Sequence, residues 1–241
     1  MTLNDVLAIL AITGAVSISI ISGKIDRVGG VVGGLITYFL FLGIGSLGIA
    51  LIGSFFVLGT FASWWKQEQK AAWNVAEARG GQRGWRNVIA NAGVAGIIAT
   101  VSWWEPDYVD SARLLVSACF ASALSDTWSS EFGNIYGNRF YNVLTGKRDQ
   151  RGRDGVVSLE GSAAGVLGSG IIALLYGTFE GIGYRVGIVV IAGVAGNLMD
   201  SIVGATLERK GLVGNHTVNF LNTLTAALLA YFFVKSCSIS T

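Results

Sequence analysis

The sequence predicts an all-α fold: a polytopic integral membrane bundle of about seven to eight transmembrane helices with no separate soluble domain. Three observations predict it. Hydrophobic residues make up 52% of the 241 positions and charged ones only 13%, about half the share that keeps a soluble surface wet. Apolar runs long enough to cross a hydrocarbon core ~30 Å thick recur along the chain. Glycine is abundant at 34 and proline nearly absent at 1, which suits helices packed closely through small residues in lipid and excludes collagen-like or disordered readings.

The first span is placed at 5–22. It opens on Asp5 with no Lys/Arg flank, so it reads as a permanent span and not a cleaved leader. One uncharged stretch, Val28 to Trp65, would reach about 57 Å as a single helix at 1.5 Å per residue. It must fold back, and the turn is expected around Gly43–Gly48, giving spans at 28–44 and 46–63. Five more follow at 87–104, 111–128, 159–177, 185–206 and 215–234. Cys119 and Cys237 each lie in an apolar run and read as buried thiols.

Lys and Arg set the orientation. Four connections on one side hold Lys24 and Arg27; Lys66, Lys70, Arg79, Arg83 and Arg86; Arg139, Lys147, Arg148, Arg151 and Arg153; and Arg209 and Lys210, which is 14 of the 17 basic residues. Arg113, Arg185 and Lys235 fall on the other side, beside the acidic turn of Glu105, Asp107 and Asp110. The basic side is expected to be cytoplasmic, with both termini outside. A net charge of +2 gives no reason to expect a nucleic-acid partner.

Polar groups inside a span need a partner or a task. The fifth span carries Ser125, Asp126, Thr127, Ser129, Ser130 and Glu131, then Gly133 and Asn134. Asp126 and Ser130 share a face, and Gly133 is expected to end the helix. The seventh carries Asn197, Asp200, Ser201, Gly204 and Glu208 in one stripe. The eighth begins Asn215, Asn219, Asn222 and the fourth Asn87, Asn91. All these stripes fall toward the basic side. Carboxylates with water are what Mg²⁺ accepts beside phosphate oxygens, and Arg or Lys clamps the phosphates themselves. The clamp is expected from Arg83 and Lys24, or else from Arg139 and Lys147. The glycine-rich stretches Gly80–Gly84 and Gly152–Gly155 could offer backbone N–H groups to phosphate, or be plain turns. Blander readings stand beside these. The amides could be interhelical glue, Glu208 could pair with Arg209 or Lys210, and Lys66, Lys70, Arg148 or Arg151 could be solvated. Asp126 and Asp200 resist that treatment best, because no basic residue lies in register within four positions.

The run Ser125-Asp-Thr-Trp-Ser-Ser-Glu-Phe-Gly133 resembles the hallmark of an integral-membrane family that includes plant and cyanobacterial phytyl-phosphate kinases (domain of unknown function 92, transmembrane protein 19-like). Gly23-Lys24-Ile25-Asp26, Gly81-x-Arg83 leading to Asn87 and Asn91, Gly155-Val-x-Ser158, and Gly196-Asn-x-x-Asp200-Ser201 through Glu208 agree in order. The Thr145-Gly-Lys-Arg segment departs by lacking the prolines common there, Pro106 being the chain's one proline. The resemblance implies a kinase that moves the terminal phosphoryl group of CTP or another nucleotide to a prenyl monophosphate, with Mg²⁺ as cofactor and membrane lipid as surroundings. Asp126, Glu131 and Asp200 would be catalytic and metal-binding. Substrates would meet Lys24, Arg83, Asn87, Asn91, Ser125, Thr127, Ser130, Asn134, Arg139, Lys147, Ser158, Asn197, Ser201, Glu208, Asn215 and Asn219. The membrane would be the plasma membrane or, in a cyanobacterial cell, the thylakoid. Two other readings compete: a cytidylyltransferase that makes a CDP-lipid and releases pyrophosphate, and a transporter in which Asp126 and Asp200 carry protons or cations.

Overall fold

Each expected span is a helix in the computed structural model, which describes residues 3–76 and 78–238. The long helices are α1 (Leu3–Ile21), α2 (Arg27–Ile44), α3 (Ser46–Trp64), α5 (Trp85–Trp104), α6 (Val109–Tyr136), α7 (Leu159–Glu180), α8 (Tyr184–Val203) and α9 (Asn215–Ser238). A short α4 (Gln67–Ala72) follows α3, and a two-stranded antiparallel ribbon, β1 (Tyr141–Asn142) with β2 (Val156–Val157), lies between α6 and α7. The uncharged stretch folds back at Gly45, whose φ of 73° puts it in the left-handed region that glycine adopts without cost.

Among the described residues, seven of the eight long helices are apolar enough to cross a membrane, and α6 is the exception. Its polarity has a physical reason. From Leu114 to Ser125 every residue of α6 is buried, so protein and not lipid surrounds this stretch. Its polar side chains find partners on neighbouring helices, as Ser122 and Ser125 do with Asn222 and Asn197. Glycines on its neighbours let the backbones approach: a Cβ at Gly165 or Gly168 of α7 would crowd Ser125 or Leu124, and one at Gly193 or Gly196 of α8 would strike Ala121 or Ser122. Small residues at such crossings are the usual means of holding helices together in lipid.

Two expectations are corrected. Gly133 does not end α6, which runs on to Tyr136 and is capped at Gly137. Gly133 instead packs against Gly161 of α7, where a Cβ would lie 3.1 Å from its Cα. The seventh predicted span ends its α-helical part at Val203 and continues as one π turn, Gly204–Glu208. Cys119 is a buried free thiol; the side chain of Cys237 lies outside the described residues.

The connections at the basic end are laced together. Arg83 N–H donates to Lys24 O and Asp26 N–H to Arg83 O, both at 3.0 Å. Asp26 Oδ1 accepts from Gly29 N–H at 2.6 Å and so caps α2. Arg209 reaches Asp149 at 2.9 Å and donates to Asp154 O at 2.5 Å. Arg151 lies 4.2 Å over the Trp73 ring and donates to Gly137 O. Four chain connections, far apart in sequence, therefore form one rim around the ends of the helices.

Candidate functional site

Inside that rim is a cavity of about 400 Å³, within the usual range for a small-molecule site. Asp126 and Thr127 reach it from α6, Asn197, Asp200 and Ser201 from α8, and Glu208 from the π turn. Asn87 and Asn91 come from the start of α5, Asn215 and Asn219 from the start of α9, and Arg83 from the connection before α5. Ser130, Asn134 and Ser158 complete the predicted residues that line it. The π turn matters here, because π bulges re-aim side chains and recur at functional sites. Glu208 is turned to the cavity, as the substrate-contact reading expects, and Arg209 pairs with Asp149, so the alternative in which Glu208 pairs with Arg209 is not the one formed.

The acidic centre is Asp126 and Asp200. The side chain of Asp200 lies against Asp126 and Asn222, with Glu208 close by, and its Oδ2 is buried without a hydrogen bond. Carboxylates so placed repel one another unless a cation or a shared proton lies between them. Asn197 fixes the crossing on which the pair depends. Its Nδ2 donates to Ser125 Oγ and its Oδ1 accepts from Ser129 Oγ, each at 3.2 Å. One turn earlier on α6, Ser122 Oγ donates to Asn222 Oδ1 of α9. Glue between helices and site scaffold are thus the same amides.

Arg83 occupies a prepared place. Its guanidinium stands 4.9 Å from the Phe55 ring centroid and 5.9 Å from that of Phe56, within range of cation–π attraction. Gly59 makes the room, since a Cβ there would lie 2.6 Å from Arg83 Nη2.

Five predicted residues stand elsewhere. Ser125 is fully buried beneath the cavity and holds Asn197. Lys24 contributes its backbone to the rim, and Arg139 and Lys147 are exposed and do not line the cavity. Glu131 is separated from the two aspartates: it is buried on another face of α6, 2.5 Å from Lys70 Nζ. Lys70, expected in solvent, is fully buried and also donates to Ala62 O (3.0 Å) and Ser63 O (2.7 Å) at the end of α3.

The structure brings both glycine-rich stretches to the cavity and adds two side chains, Arg153 and Asp154, to the expected site residues. Arg153 and Asp154 line the cavity within the glycine-rich Gly152–Gly155 segment, as does Gly81 beside Arg83. Gly152 and Gly155 have φ of 75° and 67°, and a Cβ at Gly155 would clash with Ala205 and Ser201 O. This second glycine-rich stretch is therefore pinned against α8 and carries its arginine to the cavity. The sequence signal was present, but it matched no nucleotide fingerprint.

The cavity can hold an anion between arginines and backbone N–H groups, beside a carboxylate pair suited to a divalent cation. Among the described residues no three acidic, histidine or cysteine side chains gather into a metal cage. Two carboxylates, completed by water and phosphate oxygens, are nevertheless a donor set Mg²⁺ accepts.

Comparison with known proteins agrees with the architecture. A family described as "Integral membrane protein DUF92" matches residues 10–227. The chain is 35% identical over 204 residues to "Protein VTE6, chloroplastic" of Arabidopsis thaliana, covering 80% of this chain and 61% of that longer protein. It is 33% identical to an uncharacterized membrane protein of Methanocaldococcus jannaschii, covering 83% of this chain and 82% of the relative. It is also 33% identical to an uncharacterized membrane protein of a Synechocystis strain, covering 78% and 74%. No solved structure matches.

Proposed function

The chain belongs to the DUF92 family of integral membrane proteins, and from that premise we propose that it is a phosphotransferase acting on an isoprenoid monophosphate. The donor is a nucleoside triphosphate, CTP foremost, and the product is the prenyl diphosphate. The observation that carries this reading is the meeting of Asp126 and Asp200 with Arg83 and Arg153 in one polar cavity at the helix ends. A lipid phosphate keeps its tail in the bilayer and its head at the interface, so a cavity at that depth suits both substrates.

In the proposed reaction a phosphate oxygen of the acceptor attacks the terminal phosphorus of the nucleotide. The bond from that phosphorus to its bridging oxygen breaks, and the nucleoside diphosphate leaves with the electron pair. The acceptor is already an anion, so no side chain is needed as a general base. Phosphoryl transfer asks a protein mainly for positioning and charge neutralisation. Arg83 and Arg153 would hold phosphates, and the N–H groups of the Gly81 and Gly152–Gly155 segments would support them. Asp126 and Asp200 would hold Mg²⁺, which when bound neutralises phosphate charge as the group moves. The basic connections put this end of the bundle on the cytoplasmic side in our reading, where nucleotide is available.

The test is product analysis with purified protein in nanodiscs, supplied with CTP and a prenyl monophosphate. Nucleoside diphosphate and prenyl diphosphate should appear in equal amounts, and excess EDTA should stop both. Release of pyrophosphate with a CDP-lipid would replace the kinase by a cytidylyltransferase. Absence of nucleotide consumption across prenyl monophosphates and nucleotides would leave transport as the better reading.

A further inference from the structure

A second cavity, of about 150 Å³, adjoins the first. It lies among α1, α2, α3 and α5, and Ile12, Val16, Ile52, Phe56 and Val88 give it an apolar lining. Arg83, Asn87 and Asn91 belong to both cavities, so the two meet at a border made of one arginine and two amides. On α1 the apolar cavity runs from Ser19 to Ala11, eight residues or about 12 Å along the helix axis. It thus starts at the rim and enters the hydrocarbon region, whose thickness is ~30 Å.

We propose that this cavity seats the part of the acceptor's isoprenoid tail nearest its phosphate, with Arg83 at the border between tail and head. The proposal rests on the reading of the polar cavity as a prenyl-phosphate kinase site, and it adds where the lipid lies. Continuity carries the argument. An anion held by Arg83 has its nucleotide side toward Asp126 and Asp200, and the direction left for an attached apolar chain is along the second cavity. The outer wall allows entry from the membrane. Among the described residues of α1 only Ala8 is buried, and its extensive packing is with α2, so α1 leaves the flank toward α3 lightly covered. A cavity this shallow reads only the first isoprene units, and the rest of the tail remains in lipid. Affinity should therefore rise with tail length up to about 12 Å and then level off.

Gly53 supplies the test. It lines the apolar cavity on α3, and a Cβ there meets no atom within 4 Å. Gly53→Phe should fill the cavity while keeping the helix, since replacing a helical glycine favours the helix. KM for a prenyl monophosphate of four isoprene units should rise at least about tenfold, the loss expected when two or more CH₂ groups are kept from burial. Gly53 lies six residues, or about 9 Å along the helix axis, from Gly59, which faces Arg83. One isoprene unit ends short of it, so kcat/KM for a single-isoprene acceptor and KM for the nucleotide should stay within about twofold. Equal losses for long and short acceptors, or none for either, would overturn the tail site. A second measurement is independent of turnover. A prenyl monophosphate carrying a diazirine near its head, photolysed with wild-type protein in nanodiscs, should label α1 within 11–19 and α3 within 49–56. Unlabelled prenyl monophosphate should compete and phosphatidylglycerol should not. Adducts elsewhere, or equal competition by phosphatidylglycerol, would reject the site even in an active enzyme. Adducts here without phosphoryl transfer from any nucleotide would keep the tail site and remove the kinase reading.

Discussion

Lys70 and Glu131 illustrate how far a single side chain can depart from its apparent part. Both are charged, both are buried, and they meet at 2.5 Å between α4 and α6. Lys70 also caps the carbonyls at the end of α3, where a cation complements the helix dipole. Removing one partner leaves an uncompensated buried charge, so Lys70→Met should lower stability by about 3–5 kcal/mol, whereas the double variant Lys70→Met/Glu131→Leu should recover most of it. Thermal unfolding in detergent measures both, and an additive double variant would show that the pair is not a unit. The aspartates are expected to behave oppositely. Asp126→Asn and Asp200→Asn remove a repulsion, so each should abolish turnover while leaving the unfolding temperature unchanged or higher. Full activity in Asp126→Asn would remove it from the proposed centre. Gly59→Ala is a milder probe. The atom it meets is the far end of Arg83, so folding should survive while KM for one substrate rises several-fold, an effect on binding more than on chemistry.

At the scale of elements, the polar stripes were legible because lipid makes every unexplained polar residue conspicuous. Asn197, Asp200, Ser201 and Glu208 recur at helical spacing, and all four line the cavity. What lay between the helices was not legible in the same way. Two-residue strands such as β1 and β2 carry no periodicity to read, and the inward turn of Lys70 depends on a left-handed residue, Lys66, with φ of 49°. Gly133 had a plausible local part as a helix stop, yet packing against Gly161 prevailed, since close approach between helices is decided by the partner and not by the segment itself. The segment bearing Arg153 is held down by Asp149, whose carboxyl lies below the usual carboxylate range because Gln150 N–H and then Arg209 bond to its charged form. A depressed carboxylate contributes above its unfolded value and loses that contribution as pH falls through its folded value. Docking of this segment should therefore be constant through neutral pH and loosen only below about pH 4, the ordinary aspartate value. Asp149→Asn should loosen it at every pH. Proteolytic nicking within 144–153 reports both, and equal nicking of variant and wild type at neutral pH would reject the anchor.

For the molecule as a whole, the rim, the polar cavity and 14 of the 17 basic residues gather at one end of the bundle, and function depends on which way that end faces. The opposite end is knit differently: Arg113 is tied to Glu180 at 3.2 Å and approaches Asp110, and Ser102 Oγ donates to Gly43 O at 3.0 Å. Lys and Arg near span ends are retained on the cytoplasmic side during insertion, so the rim should face the cytoplasm and the turn around Asp107 should face outward. Single cysteines at 107 and 148, introduced with Cys119 and Cys237 replaced, decide this in whole cells. An impermeant maleimide should label position 107 in intact cells and position 148 only after permeabilisation. Both positions are exposed, so the membrane and not packing controls access. The reverse pattern would turn the molecule over and place the cavity away from the nucleotide pool. The kinase reading would then fail on supply of its donor, whatever the geometry of Asp126 and Asp200.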